Sequence, residues 1–576
     1  MVKWLFVIVG MLVAFSFIMA LHRGLPLWDI LPLLLIVLSS AIPVALPVMF
    51  TVSMALGALA LSQRGVLVTR LTAVEDAAEM SILCSDKTGT LTRNALAIQH
   101  IDPEPGTSAA EVIQMACLAS EEANQDPLDS AFFQHAKDAK ITLPAVAKKK
   151  FRPFTPETRR TEAEVELGGE TVWVAKGALA TIAQLCHLSD SATQAWQAKA
   201  TQAAAKGYRV LAVAAGKQSQ VPQALGLAYL MDPPRADAAQ VIAELHTLGI
   251  RLKMLTGDLL AVAQQMATVL GLGRIAPAAV LREKAQTKTH FLEEEDGIAE
   301  IYPEDKYTIV KSLQNSGEVV GMTGDGVNDA PALKQAEVGV AVWHSTDAAR
   351  AAASVVLTEE GLAGILDVVR TGRQIHRRIL VWIVNKVSRT LMKAGYVTAV
   401  FLFSGKLAIS AFAMLLLVFM TDFAKIALAT DNTPGSPRPE TWRIRGWMRL
   451  GAVLGVLMLG ESLILLALCW KFSTLGFAEA ALPAFSFELL LFFGLFSLLS
   501  IRESGPFYAS RPSVFLGWVL FVDAFAGVCV SRVGVGGLSP LPVSLLLVIA
   551  VWSAACTFLV NDPVKVLLIQ RSGYRV

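Results

Sequence analysis

Long apolar runs at both ends of the chain constrain its fold more than any other feature. Eight runs flank one block of mixed polarity at residues 62–372, and each is near the roughly 20 residues that a helix needs to cross a bilayer core. The runs are 4–21, 30–58, 379–404, 408–429, 449–470, 485–501, 513–531 and 541–560. No convincing cleavage site follows the first run, so we interpret it as a span rather than a signal peptide. The sequence predicts an α-helical transmembrane bundle of about eight spans.

The distribution of Lys and Arg predicts the side of the membrane on which the soluble block lies. Cytosolic loops carry an excess of these residues. Arginines flank both ends of the block and recur in alternate later loops, whereas loop 472–484 has almost none. We therefore expect the block and both termini in the cytosol. The net charge of only +2 gives no indication of nucleic-acid binding.

Three short apolar segments of the soluble block end in polar motifs, at Asp86, at Thr256-Gly257-Asp258 and at Thr323-Gly324-Asp325. Segments 338–342 and 354–357 have the composition of two further strands. Helical patterns separate several of these segments, which predicts a doubly wound α/β fold with a parallel sheet. The three motifs should converge, because sites in such sheets lie at the carboxyl ends of the strands.

Two motifs carry a resemblance to a known family. Ser85-Asp86-Lys87-Thr88-Gly89-Thr90-Leu91-Thr92 resembles the phosphorylation sequence of P-type ion-pumping ATPases, and Met322-Thr323-Gly324-Asp325-Gly326-Val327-Asn328-Asp329-Ala330-Pro331 resembles their hinge and magnesium motif. A lone Asp-Gly or Asn-Asp loop is more often a simple turn, but both motifs in this order favour the functional interpretation. The resemblance implies an aspartyl phosphate made from ATP in a haloacid-dehalogenase-like domain, with Mg²⁺ as cofactor.

The resemblance also implies roles for individual residues. Asp86 would be the nucleophile, since a carboxylate can attack phosphorus and become an acyl phosphate. Lys306 would neutralise the transferring phosphoryl group. Mg²⁺ prefers oxygen ligands, and the expected set is Asp86, Thr88, Asp325 and Asp329. The remaining expected catalytic residues, which offer side-chain or backbone donors to phosphate, are Lys87, Thr88, Thr256, Gly257, Asp258 and Asn328.

Residues 101–230 interrupt the predicted sheet and resemble the inserted α+β nucleotide-binding domain of these pumps. The pieces that carry this resemblance are Phe151-Arg152-Pro153-Phe154, Arg159-Arg160-Thr161, Val174-Ala175-Lys176-Gly177-Ala178 and Lys206-Gly207-Tyr208-Arg209-Val210-Leu211. An aromatic ring can stack on adenine and cations can meet phosphate, although each lysine alone could equally lie on a solvated turn. The expected nucleotide-binding residues are Phe154, Lys176, Gly177, Arg209, Asp232 and Arg235, the last two in a hinge at Asp232-Pro233-Pro234-Arg235.

The second apolar run contains Ala41-Ile42-Pro43-Val44-Ala45-Leu46-Pro47. Pro43 and Pro47 lack N–H donors and should open the helix, which is tolerated in membranes along an ion path. The alternative is a simple proline kink. Metal-transporting relatives usually carry glutamate or cysteine within this motif, whereas this chain has Val44 and Ala45. The form resembles the plasma-membrane proton pumps.

Asp422, in the fourth run, matches the aspartate that the proton pumps use for proton carriage, and an intramembrane acid is a functional candidate by default. Arg389 and Lys393 are the expected cations of the path, with Lys386 as a third on the same helix face. Lys386 could instead extend to the interface, and Lys425 could pair with Asp422. Further intramembrane acids are Glu461, Glu488 and Asp523.

Complete pumps of this family have ten spans and an actuator domain with a Thr-Gly-Glu loop, which this sequence lacks. We expect an amino-terminally truncated pump that forms the aspartyl phosphate but does not turn over alone, with a separate chain as a possible source of the actuator. The alternatives are a pump for another cation and a membrane-anchored phosphatase of the haloacid-dehalogenase class. The predicted domains are spans at 1–60, phosphorylation domain at 61–100 and 231–372, nucleotide-binding domain at 101–230, and spans at 373–430 and 431–576.

Overall fold

The computed structural model describes residues 2–22, 31–32, 34–38, 45–93, 95–122, 126–144, 146–155, 157–217, 220–280, 292, 294–439, 444–471 and 477–571. These residues form two compact units. One unit, here called the membrane unit, comprises Met1–Arg64, Arg70–Glu79 and Asp367–Val576. The other, the soluble unit, comprises Gly65–Thr69 and Met80–Leu366.

The membrane unit is helical. Its helices are α1 (Val2–His22), α2 (Leu46–Ser62), α3 (Thr72–Glu79), α13 (Ala363–Ser404, which begins in the soluble unit), α14 (Ala411–Ala424), α15 (Ile444–Lys471), α16 (Leu482–Ile501), α17 (Val514–Val533), α18 (Val543–Ala555) and α19 (Asp562–Arg571). Five described helical stretches are long and apolar enough to cross a membrane, namely Ala411–Thr430, Ile444–Lys471, Glu479–Ile501, Val514–Val533 and Val543–Arg571. The predicted first span lies in α1 and the predicted third in α13. The count of eight spans stays a prediction.

The proline motif of the second apolar run lies partly outside the described residues, and Pro43 is in the part that is not described. Pro47 is the second residue of α2, which begins at Leu46. A proline in the first turn of a helix removes no hydrogen bond, because the first N–H groups have no partner within the helix. Pro47 is therefore compatible with a helix that starts within the run.

Helix α15 lies against α13 at two glycines. A Cβ atom at Gly451 would stand 2.9 Å from the carbonyl oxygen of Val384, and one at Gly455 would stand 2.6 Å from that of Ser388. Small residues four apart let membrane helices approach through their backbones. These glycines thereby bring α15 next to the charged segment of α13.

An eight-stranded sheet forms the core of the soluble unit, in the order β1-β14-β13-β12-β2-β9-β11-β10. Its strands are β1 (Val66–Val68), β2 (Ile82–Asp86), β9 (Arg251–Leu255), β10 (Ile275–Pro277), β11 (Gly297–Ala299), β12 (Val320–Gly324), β13 (Val338–Ala341) and β14 (Val355–Leu357). Only the β1–β14 pair among these described strands is antiparallel. The doubly wound parallel sheet is confirmed, and the three motif-bearing strands β12, β2 and β9 are neighbours at its centre.

The helices that connect these strands include α8 (Ala238–Thr247), α9 (Leu260–Leu270), α10 (Pro303–Asn315), α11 (Ala330–Gln335) and α12 (Asp347–Ala352). One apolar cluster between sheet and helices joins Ile82 and Met322 of the sheet to Ile309 and Leu313 of α10. This packing fixes α10, and with it Lys306, against the strand ends.

A second, six-stranded antiparallel sheet lies within the inserted segment, in the order β3-β8-β7-β6-β5-β4. Its strands are β3 (Ala97–Pro103), β4 (Lys148–Arg152), β5 (Arg160–Leu167), β6 (Glu170–Gly177), β7 (Arg209–Lys217) and β8 (Gln223–Met231). Its helices are α4 (Ala109–Leu118), α5 (Pro127–Asp138), α6 (Leu179–Leu185) and α7 (Asp190–Ala205). One apolar cluster joins the sheet to α4 and α5 through Val112 and Phe132, and another joins it to α6 and α7 through Ile182 and Trp196.

We expect Gly455→Leu to destabilise the membrane unit, because a leucine side chain has no room between α15 and the backbone of α13. Overpacking of this kind costs about 1–3 kcal/mol, measurable as a lower thermal midpoint of the purified chain in detergent. Gly460→Leu is the matched control, since nothing lies within 4 Å of a Cβ atom there. Equal midpoints for the two variants would contradict the glycine contact.

Candidate active site

Three carboxylates meet at the carboxyl edge of the eight-stranded sheet. Asp86 is the last residue of β2, Asp325 follows β12, and Asp329 ends a short 3₁₀ turn at Val327–Asp329. Oxygen atoms of the three side chains lie within 4.8 Å of one another. Lys306 Nζ lies 2.7 Å from Asp86 Oδ2 and 2.7 Å from Asp329 Oδ1. One lysine thus balances only part of the negative charge of the cluster.

The loop after β12 fixes Asp329 by its backbone. The N–H groups of Asp325 and Gly326 donate to Asp329 Oδ2 over 3.2 and 3.1 Å. A Cβ atom at Gly324 would stand 2.6 Å from the Asp329 carboxyl group, so only glycine fits there. The turn glycines of the motif therefore hold a carboxylate in place as well as leaving the site open.

The loop after β2 is shaped by a glycine and an arginine. Lys87 N donates to Asp86 Oδ1 over 2.7 Å, and Gly89 has a φ of +70°, where a side chain would collide with Asp325. Arg235 Nε donates to the carbonyl oxygen of Thr90 over 2.9 Å, and its Nη2 donates to that of Gly89 over 3.1 Å. A buried guanidinium group thus fixes the backbone of this loop.

The hinge residues Asp232 and Arg235, expected to bind nucleotide, contact the phosphorylation loop instead. The Asp232 carboxylate accepts from the Thr92 hydroxyl and from Ala95 N. Neither residue is among those that line the cleft of the inserted sheet. The prediction assigned them to the nucleotide because they follow the nucleotide-binding segment in sequence. They are instead hydrogen-bonded to Gly89, Thr90, Thr92 and Ala95, which follow β2.

The remaining predicted residues surround the carboxylates. Lys87 Nζ pairs with Asp258, and Asp258 N donates to Thr256 Oγ1 over 3.1 Å, so the motif after β9 is tied to the loop after β2. Thr88, Gly257 and Asn328 are exposed. Their polar groups are accessible to a ligand that approaches the sheet edge.

Burial and mutual repulsion change the acidity of this cluster. Burial raises the pKa of Asp325 to about 6, and the charges of Asp86 and Asp329 add to the effect. Burial also raises the pKa of Asp86 although Lys306 opposes the shift. For Lys306 burial alone would lower the pKa, but Asp86 and Asp329 outweigh it and raise the pKa. The uncompensated charge and the oxygen ligands fit a hard divalent cation such as Mg²⁺.

A cleft of about 1030 Å³ opens on the six-stranded sheet, and the predicted Phe154, Lys176, Gly177 and Arg209 all line it. Lys176 is 3% exposed. Its ammonium group donates to Ser120 and pairs with Asp129, and burial lowers its pKa against the opposing charge of Asp129. Phe154 is exposed over the cleft mouth. The cleft combines an aromatic face with cations, as binding of a nucleotide requires.

Sequence reasoning missed the acidic side of this cleft. Asp126 and Asp129, at the start of α5, also line it. A signal was present, because Asp126-Pro127 is a typical helix start with an acidic first turn. The contact between Asp129 and Lys176 joins residues 47 apart, and no local pattern predicts such a contact.

The sequence left the counter-ion of Asp422 open among Lys425 and the cations of α13, and the structure places two lysines beside it. Lys425 Nζ lies 2.9 Å from Asp422 Oδ1 and Lys386 Nζ lies 3.7 Å from Asp422 Oδ2. The expected Arg389 and Lys393 instead lie 3.5 Å from the backbone oxygen and the hydroxyl of Thr421, respectively. Lys386 is only 4% exposed and so does not extend to the interface. The one-turn spacing of Lys425 from Asp422 places it closer than any cation of α13.

We expect the parent chain without divalent cations to lose stability relative to Asp325→Asn as pH rises from about 4 to about 7. The folded state holds the Asp325 proton up to a pKa of about 6 against 3.8 for a free carboxyl group, so deprotonation favours unfolding in that window. Mg²⁺ should restore stability near the upper pH and much less near the lower. Thermal unfolding with and without Mg²⁺ measures this, and a Mg²⁺ effect equal in parent and Asp325→Asn would contradict it.

Comparisons with known proteins agree with the geometry. A family model described as haloacid dehalogenase-like hydrolase matches residues 80–337. A cation-transporting ATPase, so named, of Methanocaldococcus jannaschii is 36% identical over 582 aligned residues, which cover 99% of this chain and 71% of that protein. Plasma membrane ATPase 1 of Saccharomyces cerevisiae is 34% identical over 84% of this chain and 55% of its own length. The plasma membrane ATPase of Neurospora crassa is 33% identical, with 88% and 57% covered.

The chain thus spans little more than half the length of the fungal relatives and somewhat more of the archaeal one. Identity above 30% over nearly the whole chain, a haloacid dehalogenase-like core and membrane-crossing helices all agree with the phosphorylation motif. This chain belongs to the P-type ATPase family.

Proposed function

We propose that this chain transfers the γ-phosphoryl group of ATP to Asp86 and couples that step to export of protons across the plasma membrane. The observation that carries the proposal is the contact of Lys306 with both Asp86 and Asp329 at the carboxyl edge of the sheet. Removing either the Asp86 carboxylate or the Lys306 ammonium group should therefore abolish phosphoryl transfer.

An Asp86 carboxylate oxygen would attack the γ-phosphorus of ATP. A new P–O bond forms, the bond to the β–γ bridging oxygen breaks, and ADP leaves with the electron pair. Lys306 reduces the repulsion between the carboxylate and the phosphoryl oxygens, while Lys87 N orients Asp86 through Oδ1. Asp86, Asp325 and Asp329, with Thr88 beside them, would hold Mg²⁺, which when bound neutralises charge on the transferring phosphoryl group.

The cleft of the six-stranded sheet would bind the nucleotide. Phe154 offers an exposed ring for stacking on adenine, and Arg209 and Lys176 offer positive charge. Asp129, which lines the same cleft, and Ser120 hold the Lys176 ammonium group at the cleft wall.

The charges around Asp422 support a proton rather than a metal ion as cargo. Two lysine ammonium groups flank its carboxylate, and a metal cation would have to displace them. A proton needs only one carboxylate. A pump for another cation and a membrane-anchored phosphatase are the competing hypotheses that the experiments below address. The separate chain that would supply an actuator stays a prediction.

We expect the purified chain to take a hydroxylamine-sensitive label from γ-labelled ATP in the presence of Mg²⁺, and Asp86→Asn to take none. Asp347→Asn is the matched control, because Asp347 is an exposed residue at the start of α12. Equal labelling of Asp86→Asn would contradict the assignment of the nucleophile.

The same labelling separates the competing hypotheses. Label that forms without any added metal besides Mg²⁺ supports the proton, whereas dependence on a further metal ion would support another cargo. Asp422→Asn with unchanged labelling and phosphate release would support the anchored phosphatase. The lifetime of the label measures whether water reaches the acyl phosphate in this chain.

Lys176→Met should weaken binding of ATP by about tenfold or more, since a hydrogen bond to a charged group contributes about 1.5–3 kcal/mol. Displacement of a fluorescent ATP analogue from the purified chain measures the affinity. Lys217→Met is the control, because Lys217 is exposed and pairs with Glu170 at the end of β7. Unchanged affinity in Lys176→Met at unchanged thermal stability would contradict the placement of the nucleotide.

A further inference from the structure

A buried carboxylate lies between α16 and α17, away from Asp422. Glu488 of α16 is 0% exposed. Its Oε2 accepts from Ser531 Oγ of α17 over 2.7 Å, while its Oε1 has no hydrogen-bond partner among the described residues. A Cβ atom at Gly527 would stand 2.1 Å from Leu491 Cδ2 and within 3.6 Å of both Glu488 oxygens, so this glycine lets α17 pack closely against the part of α16 that carries Glu488. A buried carboxylate with an unpaired oxygen is costly unless it holds a proton or meets water.

A second carboxylate, Asp523, lies on the face of α17 that carries Gly527 and Ser531. Asp523, Gly527 and Ser531 are spaced four residues apart and so line one side of the helix. Asp523 Oδ2 is buried and has no hydrogen-bond partner among the described residues. Arg389 of α13 acts on Asp523 through its charge, yet no direct ion pair joins these two described side chains. The guanidinium atoms Nε and Nη2 of Arg389 are likewise buried and unpaired in the described part of the chain.

Contacts and helix positions relate these groups to the Asp422 cluster and to the predicted exterior side. Arg389 lies flat against Gly494 of α16, where a Cβ atom would stand 2.6 Å from its Nη2, and it donates to the Thr421 carbonyl beside Asp422. Asp523 is near the middle of α17, and Ser531 is near its carboxyl end, which the alternation of the spans predicts to lie on the exterior side. Glu488 is six residues from the start of α16 on that side. At about 1.5 Å per residue, Asp523 and Ser531 are roughly 12 Å apart along the helix.

We propose that Asp523 and Glu488 relay protons from the cluster around Asp422 to the exterior along the α16–α17 contact. This inference rests on the proposed proton export. In each step a protonated carboxyl group gives its proton to a water molecule or to the next carboxylate and becomes a carboxylate, while the acceptor becomes the acid, so charge and atoms balance. Arg389 is a positioning residue for Asp523.

Other charged groups on elements around this contact are accounted for by contacts elsewhere. Lys425 and Lys386 pair with Asp422, Lys565 pairs with Asp562, Arg532 donates to the Leu541 carbonyl, and Glu461 accepts from Asn561. Lys393 contacts Thr421. The Asn561 contact uses only Oε2 of Glu461, and its Oε1 is buried without a hydrogen-bond partner among the described residues, as in Glu488. Glu461 is therefore a comparable carboxyl group on α15, outside the α16–α17 contact.

The test is infrared spectroscopy of the full chain in lipid bilayers during pH change and exchange into D₂O. A relay group must exchange its proton with water despite burial. We expect carboxylic C=O bands that grow as pH falls and shift within seconds to minutes of exchange. Glu488→Gln should remove one such band and Asp523→Asn another, whereas the control Glu461→Gln should leave both.

Bands of Glu488 and Asp523 that neither respond to pH nor exchange over hours would overturn the relay. So would the loss of no exchanging band in either variant. Labelling of Asp86 in the same samples reports separately on the proposed function, because the nucleophile and its partners lie in the soluble unit. If Glu488 and Asp523 exchange their protons but Asp86 takes no label, phosphorylation by ATP is refuted and the relay stands. If Asp86 takes the label but neither carboxyl group exchanges, the relay is refuted and phosphorylation stands.

Discussion

Repulsion between three carboxylates at one sheet edge is the constraint on which the soluble unit depends. Asp86, Asp325 and Asp329 lie within hydrogen-bonding range of a common centre, and Lys306 compensates only in part. Such an arrangement persists only where the surrounding structure fixes it. Here β2 and β12 are adjacent, two backbone N–H groups hold Asp329, and Arg235 holds the loop after Asp86. The uncompensated negative charge favours a cation at this edge of the sheet.

A similar balance operates inside the membrane unit with the sign reversed. Lys386, Arg389, Lys393 and Lys425 lie buried near a single closely paired acid, Asp422. Burying a charge is expensive unless it is paired or solvated. The polar groups of Thr421 and the more distant Asp523 supply part of the compensation. Protons that enter or leave this cluster change its net charge, which gives a physical route from proton binding to rearrangement of the helices.

The local sequence pattern predicted the strand ends that carry Asp86, Asp258 and Asp325, but not the contacts that support these side chains. Asp86 and Gly324 end strands because an apolar run followed by Asp or Gly is a strand followed by a turn, and the strand order then brings the motifs together. Arg235 was expected at the nucleotide, and Asp129 was not expected at the cleft. Arg235 and Asp129 act through contacts with residues far away in sequence, and the register that creates these contacts arises from packing of the complete sheets. The pairing of Lys425 with Asp422, offered as an alternative from the sequence, follows from their spacing of three residues, about one helical turn.

The central claim is that Asp86 accepts a phosphoryl group beside Lys306 and a divalent cation. A cryo-electron microscopy map of the chain prepared with Mg²⁺ and beryllium fluoride, a mimic of the acyl phosphate, tests it most directly. The account predicts density for a beryllium fluoride group whose beryllium is bonded to an Asp86 oxygen, with Lys306 in contact with its fluorides and a metal ion between Asp86 and Asp325. A map with Asp86 unmodified and the fluoride absent, or bound elsewhere, would contradict it.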